Sequence, residues 1–245
     1  MDVLLQDGEV TVKGLVSLFR ISAETIRRDL TALSMAGKLQ KTHGGAILPR
    51  MIGESPFQQR MRENVAAKRI IAKQACSLVQ PGDVIFIDTG STTLCFAEEL
   101  SVIDDLTVIT NSSDIAKVLG ANSSIKIFFL GGQYDVDNGE TIGPMVISQI
   151  NKFRVDYAVL TTGGLDANAG VTDFNYDEAM VASAMLIQAK KRIVLVDSSK
   201  FNQIAPFKVA TLREIDFLVT DKLPDDTLVN ALEYAGVSIA RSIND

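Results

Sequence analysis

A run of glycine and hydroxyl residues follows one of the most apolar segments of the chain, Val84–Ile87. A helical pattern begins inside this run. The unpaired N–H groups and the dipole at the start of a helix both attract an anion, and a glycine lets a ligand approach the backbone. The run therefore predicts a phosphate site. Its candidate residues are Asp88, Gly90, Ser91, Thr92 and Thr93.

Further polar residues follow other strand-like runs along the chain. Because parallel strands place their carboxyl ends at one edge of a sheet, these residues are predicted to share a rim with the phosphate loop. Hydroxyl, amide and carboxylate groups with one ammonium group suit a phosphorylated sugar or polyol. The candidates are Asn111, Gly131, Gly132, Gly163, Asp166, Lys200 and, from a following helix, Glu178. For the carboxylates Asp166, Asp173 and Glu178, a capping or solvated role is an equal alternative.

The phosphate loop does not belong to a nucleotide-binding motif. Neither G-x-x-x-x-G-K-[ST] nor G-x-G-x-x-G occurs in the chain, so the loop is not a Walker A motif and a dinucleotide is disfavoured. We expect no cofactor.

The N-terminal region has the layout of a helix-turn-helix followed by a hairpin. Ile26, Leu30 and Leu33 recur at helical spacing and should face a core, which leaves the arginines of the same helix free to reach DNA. The candidate DNA contacts are Ser22, Thr25, Arg27, Arg28, Lys38, Lys41 and His43. The alternative for the arginines is a solvated helix face with ion pairs to Glu24 and Asp29.

Short β-branched runs alternate with helical patterns from Val84 onward, which predicts a mostly parallel sheet covered by helices on both faces. The expected fold class is α/β, with an α+β winged helix-turn-helix domain at residues 1–50, a linker at 51–60 and an effector-sensing α/β domain at 61–245. Only Met1–Gln6 precede a turn at Asp7-Gly8, so helix 1 of the winged domain is expected to be truncated. Long loops are predicted at 131–143 and 161–175, and a helix from about residue 59 to 79.

The charge of the chain is unevenly distributed. Residues 1–73 carry 12 Lys and Arg against 7 Asp and Glu, whereas the whole chain has a net charge of −6. This basic first part permits nucleic-acid binding without proving it. The chain has no apolar stretch approaching ~18 residues and no secretory signal pattern, so we expect a cytoplasmic protein with no membrane partner.

Cysteine and histidine are too few to build a covalent or metal framework. Cys76 and Cys95 form no C-x-x-C pattern, and His43 is the only histidine. Free thiols are therefore expected, and a zinc site is not.

Motifs in both halves of the chain resemble the DeoR family of bacterial regulators of sugar metabolism. The N-terminal motif is T-I-R-R-D-L at Thr25–Leu30, followed by a hairpin that ends in H-G-G-A at His43–Ala46. The second half has, in order, D-T-G-S-T at 88–92, T-N-S at 110–112, G-G at 131–132, G-G-L-D at 163–166 and D-S-S-K-F at 197–201. The resemblance thus covers nearly the whole chain.

The resemblance implies a sensor fold similar to ribose-5-phosphate isomerases. It implies that Asp88 and Gly90–Thr93 hold a phosphate, and that Asp166, Glu178 and Lys200 hold the sugar. Residues 174–179 are most similar to the branch that includes glycerol-3-phosphate regulators.

As a function, the resemblance implies a DNA-binding transcriptional regulator, usually a repressor, whose operator binding is modulated by a phosphorylated sugar or polyol. Its expected partners are double-stranded operator DNA, that effector and further copies of itself in a dimer or tetramer. Two alternatives stay open. One is a sugar-phosphate isomerase or deaminase-like enzyme with an accessory N-terminal domain, in which Asp166, Asp173 or Glu178 acts with Lys200. The other is a ligand-binding module that does not bind DNA.

Overall fold

The computed structural model describes residues 9–35, 39–42, 44–47 and 55–240. The chain divides into two compact units, with the division between residues 54 and 55. Lys38 and His43, two of the predicted DNA contacts, lie outside the described residues, as does the expected short first helix.

The first unit contains two helices and a three-stranded antiparallel sheet. Its elements are β1 (Glu9–Thr11), α1 (Val12–Phe19), α2 (Ala23–Met35), β2 (Gln40–Thr42) and β3 (Gly45–Ile47), and the strand order is β1-β3-β2. A small core joins the helices to the sheet. Its buried members are Leu15, Ile26, Leu30, Leu39 and Ala46.

The two helices are joined by a turn of three residues. Arg20 takes a left-handed conformation (φ 55°) and its N–H donates to the Val16 carbonyl, which ends α1. The Ser22 hydroxyl then accepts the Thr25 N–H at 3.1 Å and caps the start of α2. The predicted helix-turn-helix with a following hairpin is therefore confirmed.

The second unit is built on a seven-stranded sheet in which every pairing is parallel. The strand order is β15-β14-β12-β9-β4-β5-β6. The strands are β4 (Val84–Ile87), β5 (Thr107–Thr110), β6 (Lys126–Phe129), β9 (Val155–Leu160), β12 (Ala189–Val196), β14 (Phe217–Thr220) and β15 (Ser238–Ala240). The predicted parallel α/β sheet is confirmed.

Seven α-helices accompany this sheet in residues 55–240. They are α3 (Phe57–Arg60), α4 (Val65–Cys76), α5 (Ser91–Leu100), α6 (Ser113–Leu119), α7 (Pro144–Ile150), α8 (Tyr176–Ile187) and α9 (Asp226–Ala235). Successive strand residues point to opposite faces, so Ile85 and Ile87 join one core and Phe86 joins another. Helices α4, α5 and α6 cover the first face, and α7, α8 and α9 cover the second.

Two predicted loops are instead hairpins. The first contains β7 (Gln133–Asp135) and β8 (Glu140–Ile142), and the second contains β10 (Gly164–Asp166) and β11 (Gly170–Asp173), with β13 (Phe207–Ala210) beside β11. These three-residue and four-residue strands are too short for alternation to reveal them.

The predicted helix from 59 to 79 is interrupted. Asn64 lies in the left-handed region (φ 52°) and separates α3 from α4. Helix α3 therefore falls in the stretch that the sequence suggests as a linker. No helix of the described residues is long and apolar enough to cross a membrane.

The direction of chain progression through the sheet reverses between β4 and β9. From β4 the chain continues to β5 and β6 on one side, whereas β9, β12, β14 and β15 follow one another on the other side. Open α/β sheets bind ligands at such a reversal, beyond the carboxyl ends of the strands. The residues after Ile87 and Leu160 are therefore the place to look for a site.

Candidate functional site

A hydrogen bond joins the two loops at this reversal. Both Asp88 carboxylate oxygens lie 3.2 Å from the Thr161 backbone nitrogen, whose N–H they accept. Gly90 packs against the same threonine, since a Cβ at position 90 would stand 2.1 Å from Thr161 Cγ2. The glycine is thus required by the contact between the two loops, a reason that the sequence did not suggest.

Helix α5 begins at this junction without a side-chain cap. Gly90 is the N-cap residue and has no side chain to accept the N–H groups of the first turn. Ser91, Thr92 and Thr93 are all buried, and the Thr93 hydroxyl donates to the Gly90 carbonyl at 3.1 Å. The structure therefore offers an enclosed helix start with adjacent hydroxyls, which is suited to an anion.

Two carboxyl groups from distant parts of the chain lie beside this junction and share one amide partner. Asn138 Nδ2 donates to Glu178 Oε1 at 2.9 Å and lies 3.5 Å from Glu140 Oε1. Asn111 Nδ2 donates to Glu140 Oε2 at 2.9 Å. Glu140 and Asn111 are each only 1% exposed, whereas Glu178 keeps part of its surface accessible. Glu178 is therefore the member of the pair that a ligand can reach.

Burial raises the pKa of the carboxyl groups in this cluster. Burial raises the pKa of Glu140, and burial together with the charge of Glu140 raises the pKa of Glu178. Burial likewise raises the pKa of Asp88 and Asp173, and repulsion from Asp173, Glu140 and Glu178 adds to the effect on Asp88. A carboxyl group that retains its proton near neutral pH can donate a hydrogen bond and repels an anion less than a carboxylate does.

Two cationic side chains act on the same cluster. Arg60 Nη2 donates to Asn138 Oδ1 at 3.1 Å, and its charge lowers the pKa of Glu178 against the larger effect of burial. Lys200 stands at the end of the short 3₁₀ helix Ser198–Lys200. Burial lowers the pKa of Lys200, and the nearby carboxylates of Asp197 and Asp173 oppose this.

Several predicted site residues have structural contacts. Asp166 Oδ1 accepts the N–H groups of Asn168 and Ala169, both at 2.8 Å, and so closes the turn between β10 and β11. Gly131 exchanges hydrogen bonds with the side-chain amide of Gln149. A Cβ on Gly132 would lie 2.6 Å from Val146 Cγ2, and one on Gly163 would lie 2.8 Å from Phe174 Cδ2. An effector-binding role for Gly131, Gly132, Gly163 and Asp166 stays a prediction.

The structure adds residues that sequence reasoning missed. Glu140 and Asn138 stand in a stretch predicted to be a loop, and Arg60, Asn64 and Lys68 precede the first strand of the sheet. The Lys68 ammonium is buried and donates to the Arg60 carbonyl. A lone arginine or lysine in a polar stretch carries no sequence signal of burial, so only the fold brings these side chains to the cluster.

In the first unit, α2 presents its polar side chains to solvent. Arg27 and Arg28 are exposed on the side away from Ile26 and Leu30, and Arg27 Nη1 lies 3.8 Å from Glu24 Oε2. The exposed Lys41 ammonium donates to the Thr31 hydroxyl at 2.8 Å, which places β2 next to α2. Ser22 and Thr25 share a hydrogen bond between their hydroxyls at 2.8 Å. Arg27, Arg28 and Lys41 are thus three exposed cations on one helix and its neighbouring strand, and Glu24 and Asp29 are exposed on the same helix.

Two family models match the chain in sequence order. Residues 1–51 match the DeoR-like helix-turn-helix domain, and residues 63–222 match the DeoR C terminal sensor domain.

Full-length relatives are transcriptional regulators by name. The HTH-type transcriptional repressor GlcR of Bacillus subtilis (strain 168) is 33% identical over 240 residues, which are 98% of this chain and 92% of that protein. The glycerol-3-phosphate regulon repressor of Escherichia coli (strain K12) is 28% identical over 95% of this chain and 92% of that protein. The L-fucose operon activator of the same organism is 32% identical over 91% of this chain and 92% of that protein.

Among solved structures, a D-ribose-5-phosphate isomerase in complex with phospho-erythronic acid matches with a TM-score of 0.41 and 24% identity. The match covers 55% of this chain and 52% of that chain.

Proposed function

This chain belongs to the DeoR family of transcriptional regulators, and from that premise we propose that its second unit senses a phosphorylated sugar or polyol and thereby modulates operator binding by its first unit. The chain is a DNA-binding regulator and not an enzyme, since the relatives that match it over nearly their full length are regulators. Most of these are named repressors and one is an activator, so repression is the proposed direction of control.

The observation that carries the effector proposal is the uncapped start of α5 beside a buried set of carboxyl and amide groups. The phosphate group would accept hydrogen bonds from the first-turn N–H groups of α5 and from Ser91 and Thr92. The hydroxyl groups of the effector would meet Glu178 and Lys200, which are partly accessible. Asp88 and Asn111 are buried: Asp88 joins the two loops through Thr161, and Asn111 positions Glu140.

The DNA proposal rests on the exposed cationic side chains of α2 and β2. Arg27, Arg28 and Lys41 would contact phosphates or base edges, while Ile26 and Leu30 hold the helix on its core. Contacts from Lys38 and His43 remain predictions. A dimer or tetramer would pair two such surfaces on half-sites about one helical turn, or a multiple of it, apart.

The effector proposal is tested by thermal denaturation of the full chain with a panel of phosphorylated sugars and polyols that includes glycerol 3-phosphate and ribose 5-phosphate. Glycerol and ribose serve as unphosphorylated controls. A ligand at about 100 times its dissociation constant stabilises the folded protein by about 2.7 kcal/mol, which is easily measured. At least one phosphorylated compound is expected to raise the Tm while its unphosphorylated counterpart does not.

The phosphate position is tested with the double variant Ser91→Ala/Thr92→Val. It removes two hydroxyls and should lose most of the ligand-induced rise in Tm. Thr227→Val is the matched control, because Thr227 is an exposed threonine in the first turn of another helix, α9. Equal ligand-induced shifts in Tm for the wild type and the double variant would show that the phosphate does not bind at this loop. If no phosphorylated compound raises the Tm of the wild type, the sensing function itself is wrong.

A further inference from the structure

The stretch that joins the two matched domains takes part in the second unit. One family model ends at residue 51 and the other begins at 63, so Phe57 and Arg60 belong to neither. Phe57 is nevertheless only 4% exposed and packs into the core beneath α4. Arg60 is 9% exposed, and its guanidinium carbon lies 5.6 Å from the centre of the Phe57 ring. Burial of a charged group is unfavourable unless it meets specific partners, so the position of Arg60 calls for a reason.

One partner of Arg60 is an amide that belongs to the candidate effector site. Arg60 Nη2 donates to Asn138 Oδ1 at 3.1 Å, which leaves the Nδ2 group of Asn138 pointing its protons at Glu178, 2.9 Å away. An amide oxygen that accepts from a guanidinium cannot exchange places with its own nitrogen, because Nδ2 would then face a donor. Arg60 thereby fixes which end of Asn138 meets the carboxyl groups.

The same stretch is held at two further points. The Lys68 ammonium donates to the Arg60 carbonyl and ties α3 to α4. The Asn64 side chain donates to Asp197 Oδ1 and to Ser199 Oγ, both at 3.1 Å, and these residues lead into Lys200. Residues 57–64 therefore contact the site on two sides. On one side Arg60 binds Asn138, which in turn binds Glu178. On the other side Asn64 binds the loop that leads into Lys200. We call residues 57–64 the connecting segment.

Resting on the proposed function, we propose that Arg60 is a positioning residue of the effector site and that the connecting segment is the part of the second unit that responds to the bound effector. An effector hydroxyl at Glu178 competes with Asn138 for the same carboxyl oxygens, and an effector hydroxyl at Lys200 adds a partner to the loop that Asn64 contacts. Both changes alter the partners of the connecting segment. Because this segment stands in sequence between the DNA-binding unit and the rest of the second unit, effector-dependent contacts here supply the differential binding that coupling requires.

The experiment measures hydrogen–deuterium exchange of the amides of residues 57–64 in the whole 245-residue chain, with and without the phosphorylated compound that gives the largest rise in Tm from the panel above. The variants are Arg60→Gln, which removes the charge, and Arg60→Lys, which keeps the charge but loses the planar set of donors. Arg62→Gln is the matched control, because Arg62 is an exposed arginine two residues away.

In the wild type and in Arg62→Gln, the compound is expected to change exchange in the connecting segment. In Arg60→Gln, its affinity should fall about tenfold, consistent with loss of a hydrogen bond from a charged group, and the change in exchange should disappear. Arg60→Lys should recover part of the affinity. A purely structural arginine would lower the Tm without altering either ligand response. If Arg60→Gln does not fold, Asn138→Ala breaks the same link from the other end and should show the same loss.

Two results separate the possible failures. If the compound raises the Tm of the wild type but leaves exchange at 57–64 unchanged, and Arg60→Gln binds it as tightly as the wild type does, this inference is wrong and the sensing function stands. If no phosphorylated compound of the panel raises the Tm of the wild type, the sensing function fails and the inference fails with it.

Discussion

The side-chain amide of Asn138 donates at 2.9 Å to Glu178, which lies 40 positions later in the chain. The same amide nitrogen lies 3.5 Å from Glu140 Oε1, so one neutral group stands between two acidic ones. Burial raises the pKa of Glu140 to about 7, and burial with repulsion from Glu140 raises that of Glu178 to about 8. The pair thus holds protons at pH values where an exposed glutamate has released them.

This pair predicts that the second unit becomes less stable as the pH rises. The unfolded chain releases these protons near pH 4.5, whereas the folded protein keeps them to about pH 7 and 8. The stabilising contribution of the pair is therefore complete below pH 4.5 and is lost as the pH rises through the folded values. Thermal denaturation between about pH 5 and 9 should show a falling Tm. Glu178→Gln should make the loss of unfolding free energy over this pH range smaller by at least about 1 kcal/mol.

The control for this prediction is Glu233→Gln, which changes an exposed glutamate on α9. It should leave the pH dependence as in the wild type. Lys68 and Lys200 have lowered pKa values, so their contribution has the opposite sign, with stability rising with pH toward the usual lysine value of 10.5. A Tm that is flat or rising between about pH 5 and 8 would contradict the buried, proton-holding pair.

A second prediction concerns the contact between the loops that follow β4 and β9. Gly90→Ala places a methyl group 2.1 Å from Thr161 Cγ2, and overpacking of this kind costs about 1–3 kcal/mol. Urea denaturation should show this loss. Thr161→Ser removes the obstructing methyl group, so the double variant Gly90→Ala/Thr161→Ser should recover part of the stability. Additive effects of the two substitutions would show that the two residues do not meet.

The sequence predicted the elements that bury continuous apolar surface. Val84–Ile87 and Phe217–Val219 are strands because their side chains are covered on both faces, and such runs are visible without a structure. Helix α2 was likewise predicted from the helical spacing of Ile26, Leu30 and Leu33. Short elements were missed: strands β7 and β8 have three residues each, and α3 has four.

Apart from Glu178, the candidate site was predicted only where its residues follow a strand. Asp88 and Asn111 directly succeed β4 and β5, so the topology of a parallel sheet brings them to one edge. The hairpin of β7 and β8 contributes Asn138 and Glu140, and the segment before the sheet contributes Arg60. The spacing of these three residues in the sequence follows no helical or strand period, so it does not indicate that they lie close together. For Asp166, the sequence allowed a ligand contact or a turn cap, and the hydrogen bonds described are those of a cap.

The third prediction concerns Arg28, which is exposed on α2 opposite the core residues Ile26 and Leu30. Binding is measured by fluorescence anisotropy on DNA that the whole 245-residue chain selects from a random duplex library. Arg28→Ala should weaken binding about tenfold or more, the range for losing one arginine contact. Lys222→Ala is the control, since Lys222 is an exposed cation in the second unit and its removal changes the net charge equally.

The salt dependence of Arg28→Ala identifies what the arginine touches. A phosphate contact releases counterions, so its loss reduces the slope of log affinity against log salt by about 0.9 and weakens all sequences alike. A base contact leaves the slope nearly unchanged and relaxes preference at one position of the selected DNA. If Arg28→Ala binds selected DNA as tightly as Lys222→Ala at every salt concentration, α2 does not present Arg28 to DNA, and its exposure is only that of a solvated helix face.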